Sequence, residues 1–235
     1  MTEHFNVVII AGDHLDIAGH VDCATQSVVM LKYFARLAAR TRLIVSSGNH
    51  DLDARDDNGE KVVRWIHQAR RSGASTDGDA VMIDDTLITI CPWWDGPAAR
   101  ARIDDQIRRD APRERGQWIW VYHAPPDGSP TSWIGDRYEG DADLVAWIED
   151  LSPDMVLSGH IHEPPFRKGG SWVDRIGRTW VFNAGRQFGP VPAHIIFDTD
   201  RQKAAWFSLA GAESVDLAGP LHRPLPELTA RPEWL

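Results

Sequence analysis

The sequence predicts an α/β domain layered as two sheets with helices on the outside. Three observations lead there. Aliphatic runs alternate with helix-period stretches through residues 7–157. Hairpin patterns replace them from residue 172 onward. Four of the aliphatic runs stop at short polar clusters, and strand C-terminal ends are where open α/β sheets carry their ligands.

Taken in order, Val7–Ala11 is an aliphatic run before a glycine and reads as a fully buried strand. Residues 24–39 place Met30, Leu31, Phe34, Leu37 and Ala38 near helical spacing, and residues 43–45 are a second buried strand. Residues 60–71 read as a helix through Val62, Ile66 and Ala69, stopped by Gly73. Residues 81–83 and 87–91 flank Asp84-Asp85-Thr86 as a hairpin. A charged helix over 98–109 turns Ile103 and Ile107 inward, and strands at 118–122 and 155–157 enclose a helix at 144–151. Residues 172–175 with 179–182, and 193–197 with 204–207, read as antiparallel hairpins. One domain is expected over residues 1–210, followed by an irregular proline-rich tail over 211–235.

The formal net charge is −9, which repels polyanions and makes extended nucleic acid a poor partner, with Arg108, Arg109, Arg113 and Arg115 as a local basic exception. Cys23 and Cys91 fit no zinc or redox spacing and read as reduced core or subsurface thiols. The first residues hold no basic segment, and Val7–Ala11 is too short for a leader or a membrane span. A cytoplasmic protein is expected, without membrane contact and with homo-oligomerisation allowed.

The four polar clusters are Gly12-Asp13-His14-Leu15-Asp16, Gly48-Asn49-His50-Asp51, His123-Ala124-Pro125-Pro126 and Gly159-His160-Ile161-His162. Alone, each has an ordinary reading as a turn, a helix cap or a surface histidine. On parallel neighbouring strands they bring Asp13, Asn49, His123, His160 and His162 to one place. A carboxylate, an amide oxygen and three imidazoles suit a borderline divalent ion such as Mn, Fe or Zn. In an extended chain the His-x-His spacing puts both rings on one side.

Gly12-Asp13-x-x-Asp16, Gly48-Asn49-His50-Asp51, His123 and Gly159-His160-x-His162, in that order, resemble the calcineurin-like metallophosphoesterase superfamily from about residue 7 to residue 189. The resemblance implies a four-layer αββα sandwich and a hydrolase of phosphate esters using two divalent ions, with a small phosphodiester or phosphomonoester as substrate. It implies that Asp13 bridges the ions, that Asn49, His123 and His160 complete one site, and that His162 belongs to the other. His50 is implied as the general acid, worth about 10²–10⁴-fold, with Asp51 orienting it. Two ions about 3.5–4 Å apart stabilise in-line attack by a metal-bound hydroxide. They also let an acidic protein hold phosphate.

The family's further Asp-x-His motif, on an upstream first strand, has no counterpart here, where six residues precede Val7. Two readings are expected: Met1 lies inside a longer natural protein, or the fold lacks that strand and has one complete metal site, the other keeping Asp13 and His162. Glu3 and His4 do not replace the motif, because His4 lies roughly 30 Å from Asp13 along an extended chain. His14 is the nearer candidate, although adjacent strand residues face opposite ways. The alternative reading is a catalytically impaired scaffold, as the retromer small subunit is in this fold. For substrate contacts, Trp93 and Trp94 lie on a loop after a strand and suit stacking, with Trp94 named as the contact. Trp133 has similar standing. Arg186 stands where the family's Asn-x-Gly-Ser segment has serine, and suits a bidentate phosphate grip.

Overall fold

The computed structural model describes residues 5–235, so Glu3 and His4 lie outside the described residues. The chain divides into two units, Met1–Ala124 with Pro153–His160, and Pro125–Ser152 with Ile161–Leu235.

The first unit runs helix, sheet, sheet, helix. Its first sheet pairs β1 (Val7–Ala11) with β2 (Arg42–Ser46) in parallel, with Ala11 opposite Ser46. The crossover is α1 (Cys23–Ala38), whose N-terminus is capped by the Asp22 carboxylate accepting from the Thr25 N–H. Phe34 of α1 packs on Leu43 and Val45 of β2, and a 3-10 helix at Trp65–Ser72 adds Trp65, Ile66 and Ala69 to the same cluster. Beyond it the chain runs beside β2, where Ser75 accepts from the Val45 N–H and donates to Leu43 O.

A small hairpin, β3 (Ala54–Arg55) with β4 (Lys61–Val62), precedes the second sheet. In this unit that sheet comprises β5 (Ala80–Ile83), β6 (Thr86–Ile90), β7 (Gln117–Val121) and β8 (Met155–Ser158). β5 is antiparallel to β6, and β6, β7 and β8 are parallel. β2 lies against β6. The outer helix α2 (Pro97–Asp110) buries Ala99, Ile103 and Ile107, and its Asp110 carboxylate accepts from the Thr89 hydroxyl of β6.

In the second unit, α3 (Ala142–Leu151) is capped by Asp141. β9 (Val173–Ile176) and β10 (Thr179–Asn183) form one hairpin. β11 (His194–Asp198), β12 (Lys203–Ser208) and β13 (Gly211–Asp216) form an antiparallel meander. No helix of the described residues is long and apolar enough to cross a membrane.

Four expectations are corrected. Residues 60–62 are extended rather than helical, because the Glu60 carboxylate accepts from the N–H groups of Ala98 and Ala99 at the start of α2, where a helix end favours an anion. Residues 211–216 are a strand rather than tail, with Ser214 opposite Ala205 of β12. Cys23 is exposed at the start of α1, whereas Cys91 is buried. β1 is half-buried at all five residues, since among the described residues it pairs with β2 alone.

Asp77, two residues past Ser75, buries its carboxylate almost fully. Its Oδ1 accepts from the Ser47 N–H at 2.8 Å, and its Oδ2 has no hydrogen-bond partner among the described residues. Burial pushes its pKa up to about 7, against the hydrogen bonding of Ser47 and the charge of Arg70, with Asp51 adding to the rise. A carboxyl raised on folding binds its proton more tightly folded than unfolded. Its stabilising contribution is complete below about pH 4 and is lost as pH rises through about 7. Asp77→Asn should therefore flatten the fall of the thermal unfolding midpoint across that window. An unchanged slope in melts at stepped pH would show that Asp77 ionises at its ordinary pKa.

Candidate metal centre

The parallel register of each sheet sets the site. With Ala11 opposite Ser46, the loops after β1 and β2 leave side by side. The ladder between β7 and β8 continues one step past both strands, with Tyr122 N–H donating to Leu157 O and Gly159 N–H to His123 O, so His123 and His160 emerge together. Asp13, His123 and His160 each offer a ligand atom, all within 4.8 Å of one another.

Two of these residues sit in the left-handed region, Asp13 at φ 56° and His160 at φ 63°. For non-glycine residues that costs on the order of 1–3 kcal/mol each and persists only where the surroundings enforce it. It also corrects the same-side argument for His160 and His162, since the chain is not extended at His160. Gly12, at φ 92°, lets the chain turn beneath the His123 ring, and a Cβ there would meet His123 Nδ1 at 2.2 Å. Gly48 leaves room for the ligands themselves, for its Cβ would stand 2.3 Å from Asp13 Oδ1 and 2.7 Å from His123 Nε2.

His123 is buried, and its Nδ1–H donates to Ala11 O. That bond fixes the tautomer and turns the Nε2 lone pair toward Asp13. Nε2 has no hydrogen-bond partner, and Asp13 Oδ1 lies 3.2 Å from it. A buried imidazole lone pair this close to a half-buried carboxylate oxygen needs a cation between or beside them, a proton or a metal ion. With ligand bonds of about 2.0–2.2 Å, 3.2 Å is the separation of neighbouring donors on one ion. His160 Nδ1–H donates to Asn49 Oδ1 at 2.8 Å when no ion is bound. The donors present therefore fit a divalent ion. For the Asp13 carboxyl, burial works upward, but when no ion is bound a proton on His123 Nε2, with the His50 N–H and ring, outweighs it and holds the pKa far below the usual carboxylate range.

The surrounding loops are held by buried polar groups. Asp51 is fully buried, and its carboxylate accepts from the N–H groups of His14, Leu15 and Gly48 at 2.9, 3.2 and 2.8 Å. It thus ties the Asp13 loop to the Asn49 loop rather than orienting the His50 ring. Burial raises its pKa, opposed first by His14. His14 does not replace a missing ligand. Its ring packs edge-on against Phe34 and Trp65, and its Nε2–H donates to Ser46 O at 2.7 Å. Burial lowers its pKa, opposed first by the charge of Asp51.

Of the other residues singled out in the sequence, His50 donates its backbone N–H to Asp13 Oδ1, and its ring is half-buried. His162 belongs to the second unit, where its carbonyl accepts from the Arg186 N–H, and Asn183 Nδ2 donates to the preceding carbonyl of Ile161. The Arg186 guanidinium lies over the Phe188 ring. Trp94 stacks on Trp93, and the Arg100 guanidinium lies over its ring. The Trp93 ring packs against the imidazoles of His123 and His160. In the second unit, Trp133 packs against Tyr138.

Comparison with known proteins adds the lineage. The model of the calcineurin-like phosphoesterase family matches residues 2–164. No curated protein matches the sequence significantly. One crystal structure aligns with a TM-score of 0.55 at 10% identity, over 90% of this chain and 88% of its own. The crystal structure of TT1561 of Thermus thermophilus aligns with a TM-score of 0.51 at 11% identity, over 90% and 86%. Both show a shared fold. Vps29 from Entamoeba histolytica complexed with Zn²⁺ aligns with a TM-score of 0.34 at 11% identity, over 90% and 98%, too distant to carry an argument.

Gly48→Ala is the sharpest test of the geometry. The added methyl should displace Asp13 or His123 and weaken Mn²⁺ or Zn²⁺ binding by roughly tenfold or more, with the far-UV circular dichroism unchanged. Binding at wild-type affinity would show that the ion does not sit against these two side chains.

Proposed function

The chain belongs to the calcineurin-like phosphoesterase family, and from that premise we propose that it is a metal-dependent hydrolase of a small phosphodiester or phosphomonoester. The observation that carries this reading is the unpartnered Nε2 of buried His123 facing Asp13 Oδ1. Asp13, Asn49, His123 and His160 would hold one ion, and His162 would serve a second. Mn, Fe and Zn all suit these donors. When bound, the ion supplies positive charge for the phosphoryl oxygens and an activated water.

The remaining work falls to the chain's own groups. Asp13 stays ionised through the pH range of function, its pKa held far below the usual carboxylate range. His123 is held by Ala11 O at its Nδ1, which turns Nε2 toward Asp13. His50 is held beside Asp13 through its backbone N–H while its half-buried ring keeps access to solvent, as a donor of a proton to a leaving oxygen requires. Asp51 contributes indirectly by fixing the two ligand loops. We place Arg186 as the second unit's phosphate grip, and Trp94 as support for the wall rather than as a direct contact.

The deciding assay is turnover of bis-(p-nitrophenyl) phosphate with added Mn²⁺, alongside metal content by elemental mass spectrometry. Asp13→Ala and His160→Ala should lose both metal and turnover. His50→Ala should keep the metal and lose about 10²–10⁴-fold in kcat. A wild-type protein that holds metal but turns over neither this diester nor p-nitrophenyl phosphate would overturn the hydrolase reading in favour of the scaffold.

A further inference from the structure

A line of side chains that the proposed reaction does not use ends on the ligand imidazoles. The Trp93 ring lies 5.5 Å from His123, edge to face at 79°, and 5.1 Å from His160, tilted by 40°. Trp94 stacks on Trp93 at 5.6 Å and 13°, and the Arg100 guanidinium covers Trp94 at 3.5 Å. Arg100 rides on α2, so the column is backed by a rigid helix. The Trp93 backbone is fixed independently. Its N–H donates to Ser47 Oγ at 2.8 Å, and Ser47 is itself held by the buried carboxylate of Asp77. Ser47 immediately precedes Gly48-Asn49.

This arrangement adds a restraint on the two imidazole planes. A histidine's last torsion has a broad, roughly two-fold well, so a ring that turns over presents the wrong nitrogen. For His123 the bond to Ala11 O resists that turn. For His160 the ring nitrogen is bonded to Asn49 Oδ1, itself a candidate ligand, so that bond is surrendered when an ion arrives. Packing by Trp93 survives loading. An indole touching both imidazoles restrains both ring planes, and a cation over the stacked pair holds the column closed.

Resting on the metal-centre reading, we propose that Trp93 is a positioning residue for the metal site, mounted on Ser47 and braced by Trp94 and Arg100, and that it fixes the ring planes of His123 and His160 for the ion. It touches imidazoles rather than substrate and takes no part in proton transfer.

The test uses the full chain titrated with Co²⁺, read by visible absorption and by tryptophan emission. Trp93→Ala should weaken Co²⁺ binding by roughly ten- to a hundredfold and alter the absorption band that reports ligand geometry. Trp93→Phe should restore most of the affinity, because a flat ring remains against the imidazoles, while removing a large share of the Co²⁺-induced quenching. Arg100→Ala, a change outside the ligand loops, should fall between wild type and Trp93→Ala, and it carries the test if Trp93→Ala does not fold. Wild-type affinity and an unaltered band in Trp93→Ala and Arg100→Ala would overturn the positioning role while leaving the metal centre in place. Equal losses in Trp93→Phe and Trp93→Ala would overturn it too, since packing would then not be what matters. A wild-type protein that takes up no Co²⁺ would overturn the metal-centre reading and this inference with it.

Discussion

The opposition of buried His123 Nε2 and the half-buried Asp13 Oδ1 is the constraint around which the first unit is arranged. Alone, such a pair is repulsive and poorly solvated. It is tolerated because positive charge is expected between the two atoms, and because the chain spends several buried hydrogen bonds keeping them there. The main-chain oxygen of Ala11 takes the other nitrogen of His123, and the His50 N–H steadies the carboxylate. Neither partner is a side chain, so the arrangement depends on backbone geometry before it depends on residue type.

That backbone geometry is unusual in a consistent way. Asp13 and His160 both occupy the left-handed region, and glycines precede both. The strands deliver the chain to the rim, and the turns after them aim the ligands. Asp51 then joins two of these turns through three N–H groups. Buried N–H groups that lose such an acceptor cost about 1–3 kcal/mol each, so this carboxylate holds together a region that a single contact would leave loose. Strain at Asp13 and His160 and satisfaction around them are complementary halves of one prepared site.

Much of this was legible in the sequence. Asp13, Asn49, His123 and His160 stand at strand ends in an order that local pattern can reveal, and aliphatic periodicity located β1, β2, β7, β8 and α2. What stayed hidden depends on partners distant in sequence. Nothing near Glu60 says that it will reach the first turn of α2 and pull residues 60–62 out of helical form. Nothing near Asp51 says that its carboxylate will be taken by residues 14 and 15 instead of the neighbouring imidazole. The choice between Trp93 and Trp94 is invisible for a different reason, because adjacent residues in a loop have no periodicity to separate the ring that faces the site from the ring behind it. His160 misled because a two-residue spacing means one side only while the chain is extended, and here it is not.

The distances along the chain that the site brings together have a consequence for how it comes into being. His123 is bonded to a carbonyl 112 residues away, and His160 faces an asparagine 111 residues away. Contacts of such long range form late, after most loop-closure entropy has been spent. An ion therefore cannot serve as the seed around which this chain folds, as it does in small metal-stapled domains. A nascent chain has no complete set of donors until His160 has left the ribosome, by which time both sheets of the first unit have their strands. On the metal-centre reading, loading would be a closing event, and the metal supply of the cell would govern how much of this protein is active rather than how much of it folds.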